Sequence, residues 1–157
     1  MQDETLVTVP AEKLDVLQGR SMEELEVWML GQEQAPYEVT HHFGPSIYIR
    51  QAFIPAGAIA LGHAHKGPHM VTLLEGKMAV LMDGKIEVIV APATYLSPAG
   101  RKLVYVMEDL TIQNVYATDL TDLDELENAL VDKSNAWRAH ELEAEASLLL
   151  YAVGEAA

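Results

Sequence analysis

Gly57-Ala-Ile-Ala-Leu-Gly-His63-Ala-His65-Lys-Gly-Pro-His69 is the stretch that decides how the chain is read. His63 and His65 are two residues apart. On a strand, side chains at i and i+2 share a face. Lys66-Gly67-Pro68 has the composition of a turn, which returns His69 beside the first two on a neighbouring strand. Three imidazoles converging from two strands make three corners of a metal coordination shell. The chain has six histidines, so half of them lie in this one segment.

The residues on either side read as strands. Ile47 to Ile54 is rich in β-branched and aromatic residues and ends at Pro55-Ala-Gly57. His69 to Leu74 and Met78 to Met82 are expected as short strands joined at Glu75-Gly76. Asp83-Gly84 is a hairpin turn. Ile86, Val88 and Val90 alternate with Lys85, Glu87 and Ile89. Thr94 to Leu96, Leu103 to Met107 and Thr111 to Tyr116 complete a series of short strands at regular spacing. This pattern predicts a mainly β fold, a small antiparallel β-barrel or jelly roll over 37–117.

Helices are expected on both sides of the barrel, in an N-terminal extension (1–36) and a C-terminal extension (118–157). Pro10 to about Gln34 reads as helical. Ser21 with Glu24 forms a capping box, followed by an apolar stripe of Met22, Leu25, Trp28, Met29 and Leu30. Thr121 to Glu125 opens a second helix with acids in its first turn. Asn135 is expected to cap a third, through about Tyr151, with Trp137, Leu142, Leu148 and Leu149 free to pack.

Composition narrows the function classes. At 157 residues the chain is one ordinary domain, with half its residues hydrophobic. No apolar run reaches membrane-spanning length, so no membrane partner is expected. The N-terminal Met-Gln-Asp-Glu-Thr lacks the basic and apolar regions of a signal peptide, and there are no cysteines. Both observations favour a reducing cytoplasm, and the second excludes a disulfide framework or thiolate metal site. Net charge is -14, from 24 acids and 10 bases. Such a surface repels phosphate backbones, and the scattered bases argue against a nucleic-acid partner.

The histidine stretch resembles the first motif of the cupin superfamily. Gly57, five residues, His63, Ala64, His65, three residues, His69, six residues, Gly76 matches that motif at every spacing, with His69 where the family usually has Glu. Pro98-Ala99-Gly100 matches the turn of the second motif. Pro92 stands at that motif's opening Gly, Leu103 at its ligand His, and Met107 at its Asn. The resemblance covers about Tyr37 to Ala117. It implies a metal-binding barrel of a superfamily that includes dioxygenases, sugar isomerases and epimerases, and decarboxylases. The chain also looks similar to small phage-encoded cupin-type proteins, through Phe53 to Gly57, His65-Lys-x-x-His69, Ala91-Pro-Ala-Thr and Ser97-Pro-x-Gly100. That likeness would place it in a host cytoplasm or a virion.

His63, His65 and His69 are therefore the candidate ligands of one divalent metal ion, with Fe, Mn, Ni or Zn all suited to imidazole. Three protein ligands leave open positions for water, oxygen or a chelating substrate. A ligating imidazole must be neutral, so affinity is expected to fall as pH drops through about 6.5. Tyr105 and Tyr116 are candidates to reach the pocket as ligand or hydrogen-bonding partner. Of Arg50 and Gln51, one should face inward. His41 and His42 point to opposite faces of any strand and read as surface or loop residues, as does the isolated His140. No credible nucleophile is present. Two functions are expected from this reading. One is a metal-dependent dioxygenase, isomerase or lyase acting on a small polar molecule. The other is a non-catalytic cupin, a small-ligand binder or a structural component of an assembly. The edge strands and the apolar flanks favour a homodimer.

Overall fold

The computed structural model describes residues 4–10, 12, 15, 17 and 19–156. The elements follow in the order β1 (Glu4–Thr8), α1 (Met22–Leu30), β2 (Glu38–Gly44), β3 (Ile47–Ile54), β4 (Ala58–Gly62), β5 (Ala64–His65) and β6 (His69–Met82). After them come β7 (Lys85–Val90), β8 (Ala93–Ser97), β9 (Leu103–Ala117), α2 (Leu123–Leu130), β10 (Val131–Asp132) and α3 (Asn135–Ala156). Strand makes up 48% and helix 27%, so the fold is mainly β, a curled antiparallel sheet with three helices.

Two long strands organise it. β6 and β9 run antiparallel from Met70 opposite Val115 to Leu81 opposite Leu103. The other strands divide between their two halves. Towards Met70, β8 pairs with β6, and β3 pairs with β9 and then with β2. Towards Leu81, β7 pairs with β6, and β4 pairs with β9 and then with β1. The halves curl around one core that includes Leu6, Ala52, Ile54, Val71, Leu73, Met78, Val106 and Leu110.

The bend between the halves falls at Glu75-Gly76, where the sequence suggested a break between separate strands. The chain instead continues through register shifts between Leu73 and Met78, and the partner strand bends with it without a break. A bulge turns the strand sharply while keeping most ladder bonds, so composition alone made one bent strand look like two. Gly76 sits there at φ 97°. A Cβ on it would lie 2.3 Å from the Asp109 carbonyl oxygen, far inside contact distance. At Asp83-Gly84 both residues have positive φ and Met82 pairs with Lys85, which is the hairpin the dipeptide predicts.

The N-terminal segment departs from expectation. Glu4–Thr8 is a strand paired with β4, and the alternating Leu6 and β-branched Thr5, Val7 and Thr8 account for it. The α-helix is confined to Met22–Leu30, capped by Ser21, whose Oγ accepts the Glu24 N–H at 3.1 Å. Part of the longer helix expected over 10–34 falls on 11, 13, 14, 16 and 18, outside the described residues. Leu25 and Met29 pack with Ile59, Leu61 and Leu103 on the outer face of the sheet. Ser134 caps α3 in place of the expected Asn135, its Oγ accepting the Trp137 N–H at 3.1 Å. No described helix is long and apolar enough to cross a membrane.

One buried ionic cluster ties the two outer helices to the sheet. Glu26, on the inner side of α1 and 1% exposed, accepts from Arg101 and from the Ser134 hydroxyl. Arg101 in turn donates to the Gly62 carbonyl at 2.7 Å.

Two outcomes are expected in urea unfolding. Gly76→Ala should lose about 2–4 kcal/mol, because the methyl group meets rigid backbone at a left-handed φ. Arg101→Met should lose about 3 kcal/mol, because it leaves the Glu26 carboxylate buried without its cation.

Candidate functional site

The three histidines follow β4, and His65 and His69 are held by their backbone. The His65 N–H donates to the Gly100 carbonyl at 3.0 Å, and the Gly100 N–H donates back to His65 at 2.9 Å. Pro98-Ala99-Gly100, matched to the second motif's turn, thus anchors His65. β10 pairs with β5, Val131 opposite His65, and the Lys66 N–H donates to the Leu130 carbonyl at 2.9 Å. His69 opens β6 opposite Ser97. The Lys66-Gly67-Pro68 turn therefore returns His69 to the first two, and all three histidines line one cavity of about 80 Å³.

The rings have different surroundings. His63 is 3% exposed and meets Trp137 edge-on, with centroids 4.6 Å apart and planes at 86°. His65 and His69 stack on each other at 4.2 Å and 28°. Tyr116 stacks against His69 at 4.8 Å, and its hydroxyl lies 3.0 Å from His65 Nε2. His69 Nε2 donates to Asn114 Oδ1 at 2.9 Å. His65 Nδ1 is buried with no hydrogen-bond partner among the described residues.

Burial and neighbouring positive charge lower the pKa of His65 and His69. The His65 pKa is lowered to about 3, first by burial and then by His69, Lys102, Arg50 and His63. Burial also lowers His69, opposed by its hydrogen bond to Asn114, with Lys102 adding to the lowering. For His65 the change of charge in the folded chain therefore lies well below pH 6.5.

The other candidates separate by strand alternation. Tyr116 is at the site. Of the pair on β3, Arg50 faces inward, 1% exposed, with Nη1 3.4 Å from Glu4 Oε1 and Nη2 3.5 Å from the Tyr37 hydroxyl. Gln51 faces the other side, where it accepts from Gln113 at 2.8 Å. Tyr105 lies away from the cavity, packed with Leu103 and α1 on the outer face. Lys102 and Val104 line the cavity, so the odd-numbered positions that follow them on β9 point out. His41 lies 2.7 Å from the Tyr48 hydroxyl, while His42 and His140 are exposed.

Among the residues at or around the cavity that were not foreseen are Asn114, Lys102, Glu4, Trp137 and Tyr95. Asn114 is two before Tyr116 on the same strand face, a spacing that could have revealed it. Lys102 follows the second-motif turn, one residue before the Leu103 that stands at the motif's ligand position. Glu4 and Trp137 come from the flanking segments, and no local pattern links either to the histidines.

Solved structures that resemble the chain share its architecture at low identity. Ectoine synthase from P. lautus matches with a TM-score of 0.50 at 13% identity, over 66% of this chain and 83% of its own. A cupin-like protein from Thermotoga maritima matches with a TM-score of 0.45 at 13% identity, over 52% of this chain and 68% of its own. The chain has the cupin fold. An acetylacetone dioxygenase from Acinetobacter johnsonii matches at 20% identity and a TM-score of 0.45, over 66% of this chain and 78% of its own. No protein-family model matches the chain, and no curated protein matches it.

The donor set suits a divalent transition metal in its chemistry. It offers three imidazoles, and among them His65 has a buried Nδ1 that no described residue pairs. The ring orientations do not close on an ion. Imidazole lone pairs lie in the ring plane, and stacked rings direct them along nearly parallel planes. Among the described residues, no group of three or more His, Asp or Glu is placed to hold one.

A pH test follows from His65. Its folded pKa near 3 lies below the ordinary 6.5, so the unfolded chain binds more protons between those values. Its contribution to stability is complete above pH 6.5 and is lost as pH falls toward 3. With divalent ions chelated, urea midpoints should decline from pH 7 to pH 5, and His65→Gln should flatten that decline. An equal slope in both proteins would show that His65 does not carry this linkage.

Proposed function

We propose that this cupin-fold chain binds a divalent transition metal through His63, His65 and His69 and acts as a metal-dependent enzyme on a small polar molecule. The observation that carries this reading is the buried, unpaired Nδ1 of a neutral His65, in one cavity with the other two imidazoles. A buried polar nitrogen without a partner is costly in a dry site, and a metal ion removes that cost. His63, His65 and His69 would hold the ion, with the stacked rings of His65 and His69 turned from the orientation described above. When bound, the ion supplies Lewis-acid or oxygen-activating chemistry. Of the chain's own residues, Asn114 orients His69 and Tyr116 orients His65, as hydrogen-bonded neighbours of ligating histidines do. The fold alone does not select among oxygenase, isomerase and lyase reactions.

A second reading, a structural component of an assembly or a homodimer, is favoured by the surface of α3. Leu142, Leu148, Leu149, Leu150, Tyr151 and Val153 on that helix are each at least 66% exposed. An apolar helix end of this kind is characteristic of chains that associate.

Metal analysis of the purified protein, combined with sedimentation, separates the two. The enzyme reading expects about one iron, manganese, nickel or zinc per chain. His65→Ala should lose most of that metal and remain folded, while His140→Ala should keep it. Full metal content in the His65 variant would overturn the assignment. A metal-free protein that sediments as a large particle would favour the structural reading.

A further inference from the structure

A second, larger cavity of about 550 Å³ adjoins the histidine cavity. Val80, Tyr95, Ser97 and Lys102 line both, so these residues form the neck between them. Beyond the neck the wall includes the apolar side chains of Met82, Ile89 and Ala93. The neck itself is polar. Lys102 is half-buried there, and its Nζ donates to the Pro98 carbonyl, which leaves two of its three donors. Ser97 is 5% exposed. The Tyr95 hydroxyl is raised to about 12 by burial and by Glu87, so it keeps its proton and can donate.

The basic groups around the neck differ in their partners, and the outer cavity wall carries Asp83, Glu87 and Lys85 beside Lys102. Arg50 is matched by Glu4, and Arg101 by Glu26. Lys102 forms no salt bridge among the described residues. Asp83, on the outer cavity wall, is the carboxylate whose charge reaches it. Its charge acts inward instead, on His65 and His69, which it helps to keep neutral. A partly desolvated ammonium without a salt bridge, at the junction of two cavities, is a place for an anion. One ammonium with two hydroxyls matches a single negative charge.

We propose that Lys102 seats the carboxylate of a small organic acid, with the carboxylate at the neck beside the histidines and the apolar body in the outer cavity. The assignment rests on the reading of the histidine cavity as the ligand site, and it names the substrate class. A metal ion at the histidines would strengthen the preference, because an anion between two cations relieves their repulsion. Lys102 is a binding residue here, and its charge is what the ligand reads.

Benzoate is a suitable probe and benzamide its neutral counterpart. Titration calorimetry should be run on protein loaded with zinc and on protein treated with a chelator, with zinc content measured in each variant. The wild type should bind benzoate in preference to benzamide. Lys102→Met should weaken benzoate on the order of tenfold or more, the scale of one lost charge-assisted hydrogen bond. Lys102→Arg should retain most of the affinity, and neither change should alter zinc content. Three results would overturn the inference: no benzoate binding by the wild type at millimolar concentration, equal benzoate affinity in wild type and Lys102→Met, or loss of zinc together with benzoate in that variant. If zinc fails to bind any form while benzoate binding still depends on Lys102, the metal reading falls and the anion site stands.

Discussion

The architecture depends on the close approach of two backbones at Gly76. β6 and β9 are shared by both halves of the sheet, so the angle at which they bend sets how the halves face each other. With the Asp109 carbonyl 2.3 Å from where a Cβ would sit, only glycine allows that approach. The positive φ there imposes a second, independent demand for glycine. The curl encloses the core, and at one end of the core it leaves the cavity in which the histidines lie.

That cavity is shaped by polar anchors as much as by packing. His65 is fixed through its backbone to Gly100 and Val131, and its ring is flanked by His69 and Tyr116. Tyr116 belongs to a cluster with Tyr48 and Leu126, so α2 supports the ring that supports the histidine. Glu26 with Arg101 and Ser134 joins α1 to α3, and α3 brings Trp137 against His63. Each imidazole is therefore placed by an element distant from it in sequence.

Much of the barrel was legible in the residues because its signals are local. Period-two alternation, the Asp83-Gly84 turn and the spacing from Gly57 to Gly76 depend only on neighbours. The first-motif histidines were legible for the same reason, and the structure brings them to one cavity. What escaped were relations between distant segments. Glu4–Thr8 is too short to announce itself as a strand, and its pairing with β4 is a tertiary fact. Tyr105 was misplaced because alternation gives two faces without saying which is inner. Lys102 and Val104 settle that only once the cavity is known. The stacking of His65 on His69 depends on side-chain torsions, which spacing does not encode.

The contact between His63 and Trp137 has a consequence for local opening of the chain. The sheet's last long strand ends at Ala117, and Trp137 lies beyond it on α3. Closing so long a segment carries an entropy cost that grows slowly with its length. Detachment of α3 alone, with every long strand still paired, would strip His63 of the indole that meets it edge-on. The surroundings of His63 thus depend on an element that the ladder of the sheet does not hold.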